Sequence, residues 1–380
     1  MRAYETDLGP RPHESRWRAA QRRLQAGRVR IAHVDTGLAP HPALGFTGDT
    51  PPPNIALAEG RNFHESPAGH QPPVTTLARG AGFIARLTEY PDHGLKTLAI
   101  ILADGPKLRG VAPGAHVVPY RVANGPVFRG DAKTAAIGSA LAHAMALPNP
   151  PRVVSISMGN PGFMGGLEGF RRLLSGETVM AKSTREALDA AYEAGVIVVC
   201  AAGQVIEGVV YPARFARTIA VAGFDMMGAT CIHYPRGGYD DTARVDVWAR
   251  AEGINRPGAH LGDDGAPVWT YAAEAEDVGG EPSGTSYACP QVAAAAALWI
   301  ETHHDALEKA FRRPADRWKI TEAFRKALNR SARIQVAQDA QGNGKPGEIR
   351  VLDIEALLDT PPDPEASYRK RGRCVDAGVW

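Results

Sequence analysis

Five consecutive alanines, Ala293 to Ala297, follow closely on Ser283-Gly284-Thr285-Ser286-Tyr287-Ala288-Cys289-Pro290-Gln291-Val292. Alanine has the highest helix propensity and very little side-chain bulk, so this run predicts a helix that neighbouring elements can approach closely. A chain containing it must arrange its other elements around a buried, smooth-sided helix. Pro290 suits a first turn, where a missing N–H costs nothing. The Gly-containing turn ahead of it delivers one serine to the helix start. A hydroxyl held there lies beside free backbone N–H groups and the positive end of the helix dipole, where a developing oxyanion is stabilised. Local pattern alone leaves two readings, a Ser/Thr-rich cap or a nucleophile. The decision falls to the rest of the chain, which must supply a base and an acid.

The chain alternates strands and helices. Val29-Arg30-Ile31-Ala32-His33-Val34 reads as a buried strand ending in Asp35-Thr36-Gly37, and an aspartate leaving a parallel strand lies where open α/β sheets place their sites. A turn-forming Asp before Gly is the competing reading. Asp92-His93-Gly94 opens a helix through Leu95 to Leu102, which leaves an imidazole accessible at its start. Further strands are predicted at His116–Val122, at Val153 into Asn160, at Val196–Cys200 (apolar throughout, hence buried on both faces), at Thr218–Gly223 and at Val245–Ala249. Helices are predicted at Thr134–Met145, Lys182–Glu193, from the serine turn to about Glu301, and at about Trp318–Asn329. Gly347 to Leu358 closes the domain with a short strand and helix. This order argues a mainly parallel sheet flanked by helices.

Around that core, residues 1–28 form an N-terminal extension with a helix from about Ser15 to Gln25. Trp17, Ala20 and Leu24 share one face of it, which predicts docking on the domain, and Gly27 is its stop. Residues 46–92 read as irregular connection, Pro161–Gly176 as a Gly-rich loop, about 252–281 as a surface insertion, and 359–380 as a solvated, basic tail. The domain itself spans 29–358. Net charge of +2 over 380 residues argues against a nucleic-acid partner. No run is long and apolar enough for a membrane span, and the first residues lack the apolar core of a secretory signal. Cys200, Cys231, Cys289 and Cys374 are widely spaced, without metal-type pairing; free thiols in a cytoplasmic setting are expected.

Taken together, these pieces resemble the subtilisin-like serine proteases. Val34-Asp35-Thr36-Gly37 with His41-Pro42-Ala43-Leu44 is similar to the family's aspartate motif. Asp92-His93-Gly94 is similar to its histidine motif, and Gly284-Thr285-Ser286-Tyr287-Ala288-Cys289-Pro290 to its serine motif. The resemblance covers about 29–358 and implies a three-layer α/β fold. It selects Ser286 over Ser283 as nucleophile, with His93 as base and Asp35 as the group that orients the imidazole, in the Asp, His, Ser order of that family. It further implies that Ser157-Met158-Gly159 pairs with an extended peptide and that Ala201-Ala202-Gly203 lines the main specificity pocket.

Two positions depart from the family pattern. Gln204 stands where the resemblance implies an oxyanion-donating asparagine; the same amide sits on a side chain one methylene longer. Leu95-Lys96 replaces the usual Thr-His, and Lys96 either acts on the His93 pKa or points to solvent. The function implied is a serine endopeptidase acting on protein or peptide substrates, intracellular and regulated, with a regulatory protein partner as a further expectation. A subtilase-fold binding or scaffold protein, weak in catalysis because of Gln204, is the alternative. A sedolisin-type acid protease would carry glutamate where His93 stands. No cofactor is expected; calcium is frequent in the resembled family, but Asp240-Asp241 and Asp263-Asp264 read as solvated turns rather than ligands.

Overall fold

The computed structural model describes residues 16–24, 27–77, 89–105, 108–127, 131–160, 179–203, 209–224, 230–231, 245–272, 284–339 and 347–375. Its main sheet turns on β1 (Arg30–Asp35), third from one edge and buried along its whole length. β2 (Arg61–Asn62) and β3 (His116–Arg121) lie on one side of it. β4 (Val153–Ile156), β5 (Ile197–Ala201), β6 (Ile219–Phe224) and β8 (Val247–Arg250) lie on the other. β12 (Gly347–Val351), β11 (Arg333–Asp339) and β7 (Thr230–Cys231) extend that side to the edge. The pairings are parallel except β11 with β12. Because the chain leaves β1 toward β3 and then returns to build β4 on the opposite flank, the end of β1 is a topological switch point. In such sheets the crevice beyond the carboxyl ends of the strands is where ligands bind.

Helices cover both faces of the sheet, giving three layers. α1 (Arg16–Leu24), α2 (His93–Leu102) and α5 (Thr285–Thr302) pack together, α5 lying on β4, β5, β6 and β8. α3 (Asp131–Ala146) pairs with α4 (Lys182–Glu193). α6 (His304–Phe311), α7 (Lys319–Ser331) and α8 (Ile354–Leu358) complete the C-terminal part. Ala293 to Ala297 have no solvent exposure, as expected for a helix whose small side chains let neighbours close on every side. Among the described residues no helix is long and apolar enough to cross a membrane.

The N-terminal helix docks as its apolar stripe requires. Trp17, Ala20 and Leu24 are buried, and Trp17 Nε1 and Gln21 Nε2 both donate to the Val111 carbonyl, at 2.8 and 2.7 Å. Gly27 ends it at φ 72°, its N–H on the Leu24 carbonyl. Two expectations need correction. The stretch read as a surface insertion folds into an antiparallel hairpin, β9 (Arg256–Leu261) with β10 (Pro267–Ala272), and the first four residues of β9 are buried against α2. In the stretch read as a solvated tail, residues 370–374 are strapped along α4: Arg371 N donates to Tyr192 Oη, Cys374 N to Asp189 Oδ1, and Lys370 pairs with Glu193. Arg217 anchors the strap by donating to the Arg371 and Gly372 carbonyls. The loop 161–176 lies outside the described residues.

Candidate active site

Asp35 is the last residue of β1 and is completely buried. The next two residues set the geometry around it. Thr36 accepts the Gly94 N–H at 2.8 Å and donates to the Pro91 carbonyl at 2.9 Å, so one hydroxyl clamps the end of β1 to the start of α2. Gly37, at φ 89°, brings its carbonyl against Gly94, where a Cβ would sit 2.0 Å from that oxygen. Only glycine at 94 permits this approach. The clamp brings His93 Nδ1 to 2.7 Å from Asp35 Oδ1, a buried contact between residues 58 positions apart. Thr36 N also donates to Oδ1 at 2.7 Å. Burial alone would raise the Asp35 carboxyl, but the charge and hydrogen bond of His93, helped by His33 and the Thr36 N–H, hold it below the ordinary carboxylate value.

Ser286 occupies the first turn of α5, which begins at Thr285 behind an extended Gly284. The first N–H groups of a helix lack intrahelical partners and point toward whatever stands before the helix. Its hydroxyl donates to the Ser157 carbonyl at 2.8 Å; among the described residues it makes no hydrogen bond to His93. Ser157, Met158 and Gly159 follow β4, and the Gly159 N–H donates to the Pro126 carbonyl at 2.8 Å. Ala201 and Ala202 are buried, and Gly203 N donates to Thr285 Oγ1 at 3.1 Å, tying the end of β5 to the start of the serine helix. α2 packs against α5, so the structure gathers Asp35, His93, Ser286, Ser157 and Gly203 at the carboxyl end of the central strands. Gln204 lies outside the described residues.

Further residues complete the surroundings. Lys96 does not point to solvent: it is buried, with Nζ 2.6 Å from Tyr90 Oη and 3.4 Å from Asp92 Oδ2. Asp92 Oδ2 also accepts the Ala259 N–H at 3.2 Å, so β9 is joined to the residue preceding His93. Arg256, buried on β9, lies over the ring of Tyr287 at 4.3 Å, next to the serine. A second buried imidazole, His33, reaches Thr97 Oγ1 at 2.9 Å. The available signals were periodicities: His33 stands two residues before Asp35 on a strand, and Thr97 four after His93 on a helix. Cys289 is no rival nucleophile, because burial pushes its thiol pKa up to about 12.

For a metal, the described residues supply no cradle of three or more His, Cys, Asp or Glu side chains. Asp264 caps the β9–β10 turn by accepting the Ala266 N–H, and Asp240-Asp241 lies outside the described residues.

A model of the subtilase family matches residues 29–344. Subtilisin Savinase of Lederbergia lenta is 28% identical over 282 residues, which is 74% of this chain and 79% of that protein. An alkaline protease of Shouchella clausii is likewise 28% identical over 74% of this chain, which spans 56% of that longer protein. Among solved structures, a protease of Pseudoalteromonas arctica matches with a TM-score of 0.59 at 20% identity, over 94% of this chain and 96% of that one. Fervidolysin of Fervidobacterium pennivorans, described as a keratinolytic enzyme related to subtilisin, matches with a TM-score of 0.53 at 21% identity, over 91% and 44%. At these identities the two structures speak for the fold.

Proposed function

The chain belongs to the subtilase family of serine-type endopeptidases, and from that premise we propose that it hydrolyses peptide bonds with Ser286 as nucleophile, His93 as general base and Asp35 as the orienting carboxylate. The observation that carries this reading is the buried 2.7 Å contact between Asp35 Oδ1 and His93 Nδ1. An imidazole whose Nδ1 proton is held by a carboxylate presents Nε2 as a proton acceptor.

The resting bond from Ser286 to the Ser157 carbonyl suggests how the cleft engages a substrate. When the hydroxyl turns to His93, that carbonyl becomes free to accept an N–H from an extended peptide laid along Ser157-Met158-Gly159. Attack of Ser286 Oγ on the scissile carbonyl then sends the hydroxyl proton to His93, and collapse of the tetrahedral intermediate returns it to the leaving amine. The N–H of Ser286, with the amide of Gln204 as its proposed companion, would hold the oxyanion. Ala201-Ala202-Gly203, small and with both alanines buried, would wall the main specificity pocket. Among the described residues, the buried thiols Cys200, Cys289 and Cys374 form no disulfide, which supports a reducing compartment as part of the same reading.

The test is covalent. A fluorophosphonate is expected to label the wild-type chain and not Ser286→Ala, and a peptide library is expected to be cut only by the former. Native protein that neither labels nor cleaves would overturn the reading in favour of a binding protein on a subtilase fold.

A further inference from the structure

β1 and α2 each place a second polar side chain behind the Asp35–His93 pair. Residues two apart on a strand share a face, and residues four apart on a helix share a side. His33 therefore lies on the same face as Asp35, and Thr97 on the same side as His93. The four side chains form an open chain of three contacts: Asp35 Oδ1 to His93 Nδ1 at 2.7 Å, Thr97 Oγ1 to Asp35 Oδ2 at 3.1 Å, and His33 Nε2 to Thr97 Oγ1 at 2.9 Å. His33, Asp35 and Thr97 have no exposed surface.

The proton positions follow from the partners. His33 Nδ1 is buried and has no hydrogen-bond partner. Burying an unpaired N–H costs more than burying a bare ring nitrogen, so the His33 proton belongs on Nε2, where Thr97 accepts it. Thr97 has one proton to give and three acceptors in range: Asp35 Oδ2, and the carbonyls of His93 and Gly94, both at 3.2 Å. Those two carbonyls are neutral, whereas a carboxylate is the stronger acceptor. With His33 occupying one lone pair, the Thr97 proton turns to Oδ2.

We propose that His33 and Thr97 are positioning residues, a donor chain from His33 to Thr97 to Asp35 Oδ2 that fixes the carboxylate which in turn holds His93. The proposal rests on the reading of Asp35 and His93 given above. Each carboxylate oxygen then has its own donors, Thr36 N and His93 on Oδ1 and Thr97 on Oδ2, so the carboxylate plane cannot rotate without breaking one set. Burial holds His33 neutral by lowering its pKa to about 4, which keeps the chain in this state at neutral pH. The titratable groups that face Asp35 are His33 from its own strand, His93 from α2 and the Cys289 thiol from α5; Arg121 on β3 is turned to Glu65 and the Thr36 carbonyl instead.

The test uses the full chain with a peptide substrate. Thr97→Val removes the hydroxyl at constant shape; kcat is expected to fall roughly tenfold with KM nearly unchanged. Losing that donor leaves more negative charge facing His93, so the acid limb of kcat/KM should move up by roughly half a pH unit or more. Thr97→Ser should restore both. His33→Leu should shift both in the same direction but less. The double variant should lose little beyond Thr97→Val alone, because the His33 hydrogen bond reaches Asp35 through Thr97, its own ring nitrogen standing 4.0 Å from Oδ2. Additive effects, or an acid limb that stays in place, would overturn the proposal. A reading independent of activity comes from nitrogen NMR of the wild type, where His33 should carry its proton on Nε2 between pH 5 and 8. The opposite tautomer, or titration near the ordinary histidine value, refutes the chain even if the variants do not fold. An inactive enzyme with the assigned tautomer would instead refute the peptidase reading and leave the donor chain standing.

Discussion

Each oxygen of Asp35 is held by groups that donate to it: Thr36 N and His93 at Oδ1, Thr97 at Oδ2. Asp35→Asn offers one oxygen for two sides of donors. Whichever way the amide faces, an NH2 meets a donor, and if it faces His93 it favours the tautomer that cannot accept the Ser286 proton. We expect kcat to fall by about 10⁴ with circular dichroism unchanged, by analogy with the same change in the trypsin-type triad; a loss smaller than tenfold would show that His93 does not depend on this carboxylate. Gly94 makes a separate prediction. A Cβ there lies 2.0 Å from the Gly37 carbonyl oxygen, backbone against a left-handed turn that cannot easily yield. Gly94→Ala should cost roughly 3 kcal/mol in urea denaturation and lower activity by displacing His93; wild-type stability would mean the clamp is looser than described. At this scale much was legible. The positions of Asp35, His93 and Ser286, the proposed triad, were legible because each sits in a short local motif. The burial of Lys96, and the roles of Thr36, His33 and Thr97, depend on which element packs against which, and no local pattern encodes that.

Elements with a one-sided apolar pattern were readable, and those without it were not. Lys182–Glu193 is a helix with the bounds its periodicity implies, because Thr184, Leu188, Ala191 and Tyr192 face inward. β11 went unread because Ile334 and Val336 are exposed, leaving no buried face to mark it. The hairpin β9–β10 was hidden by Pro257, Gly258, Gly262, Gly265 and Pro267, which read as loop; what orders it is tertiary. Asp92 takes the Ala259 N–H, Arg256 stacks on Tyr287, and Trp269 Nε1 donates to the Pro40 carbonyl at 3.1 Å while its ring stands edge-on to His41. Trp269 is 48% exposed, so its contribution comes mainly from this hydrogen bond and the ring contact. Trp269→Ala should destabilise by about 1–2 kcal/mol and speed limited proteolysis within the hairpin, with little change in far-UV circular dichroism. Unchanged proteolysis would mean that β9, through Asp92 and Arg256, holds the hairpin alone.

At the scale of the whole molecule, parallel β-sheet order and the central alanine helix were implied by alternation of elements, whereas the register that aligns Asp35 with Arg121 arises only on folding. The same burial that builds the core also dictates how it responds to acid. His33 and His41 are wholly buried, and burial lowers both to about 4. In the unfolded chain each titrates near the ordinary histidine value of roughly 6.5. Between these limits the unfolded state binds protons that the folded state refuses, so stability must rise with pH through this window and fall as pH drops through it. Each imidazole accounts for roughly 3 kcal/mol at most across the full interval. Asp35, held below its ordinary value, adds a further loss only at still lower pH. The loss of stability should therefore begin below about pH 6.5, before carboxylates protonate. His41 offers the cleaner test because its Nδ1 accepts the Ala43 N–H at 2.9 Å as the cap of a short 3₁₀ turn. Asparagine is a good acceptor at such a position and does not titrate. His41→Asn should thus reduce the fall in unfolding free energy between pH 7 and 4.5 by about 1–3 kcal/mol, read from denaturant titrations at each pH; a slope identical to wild type would mean that His41 takes up its proton without leaving the fold.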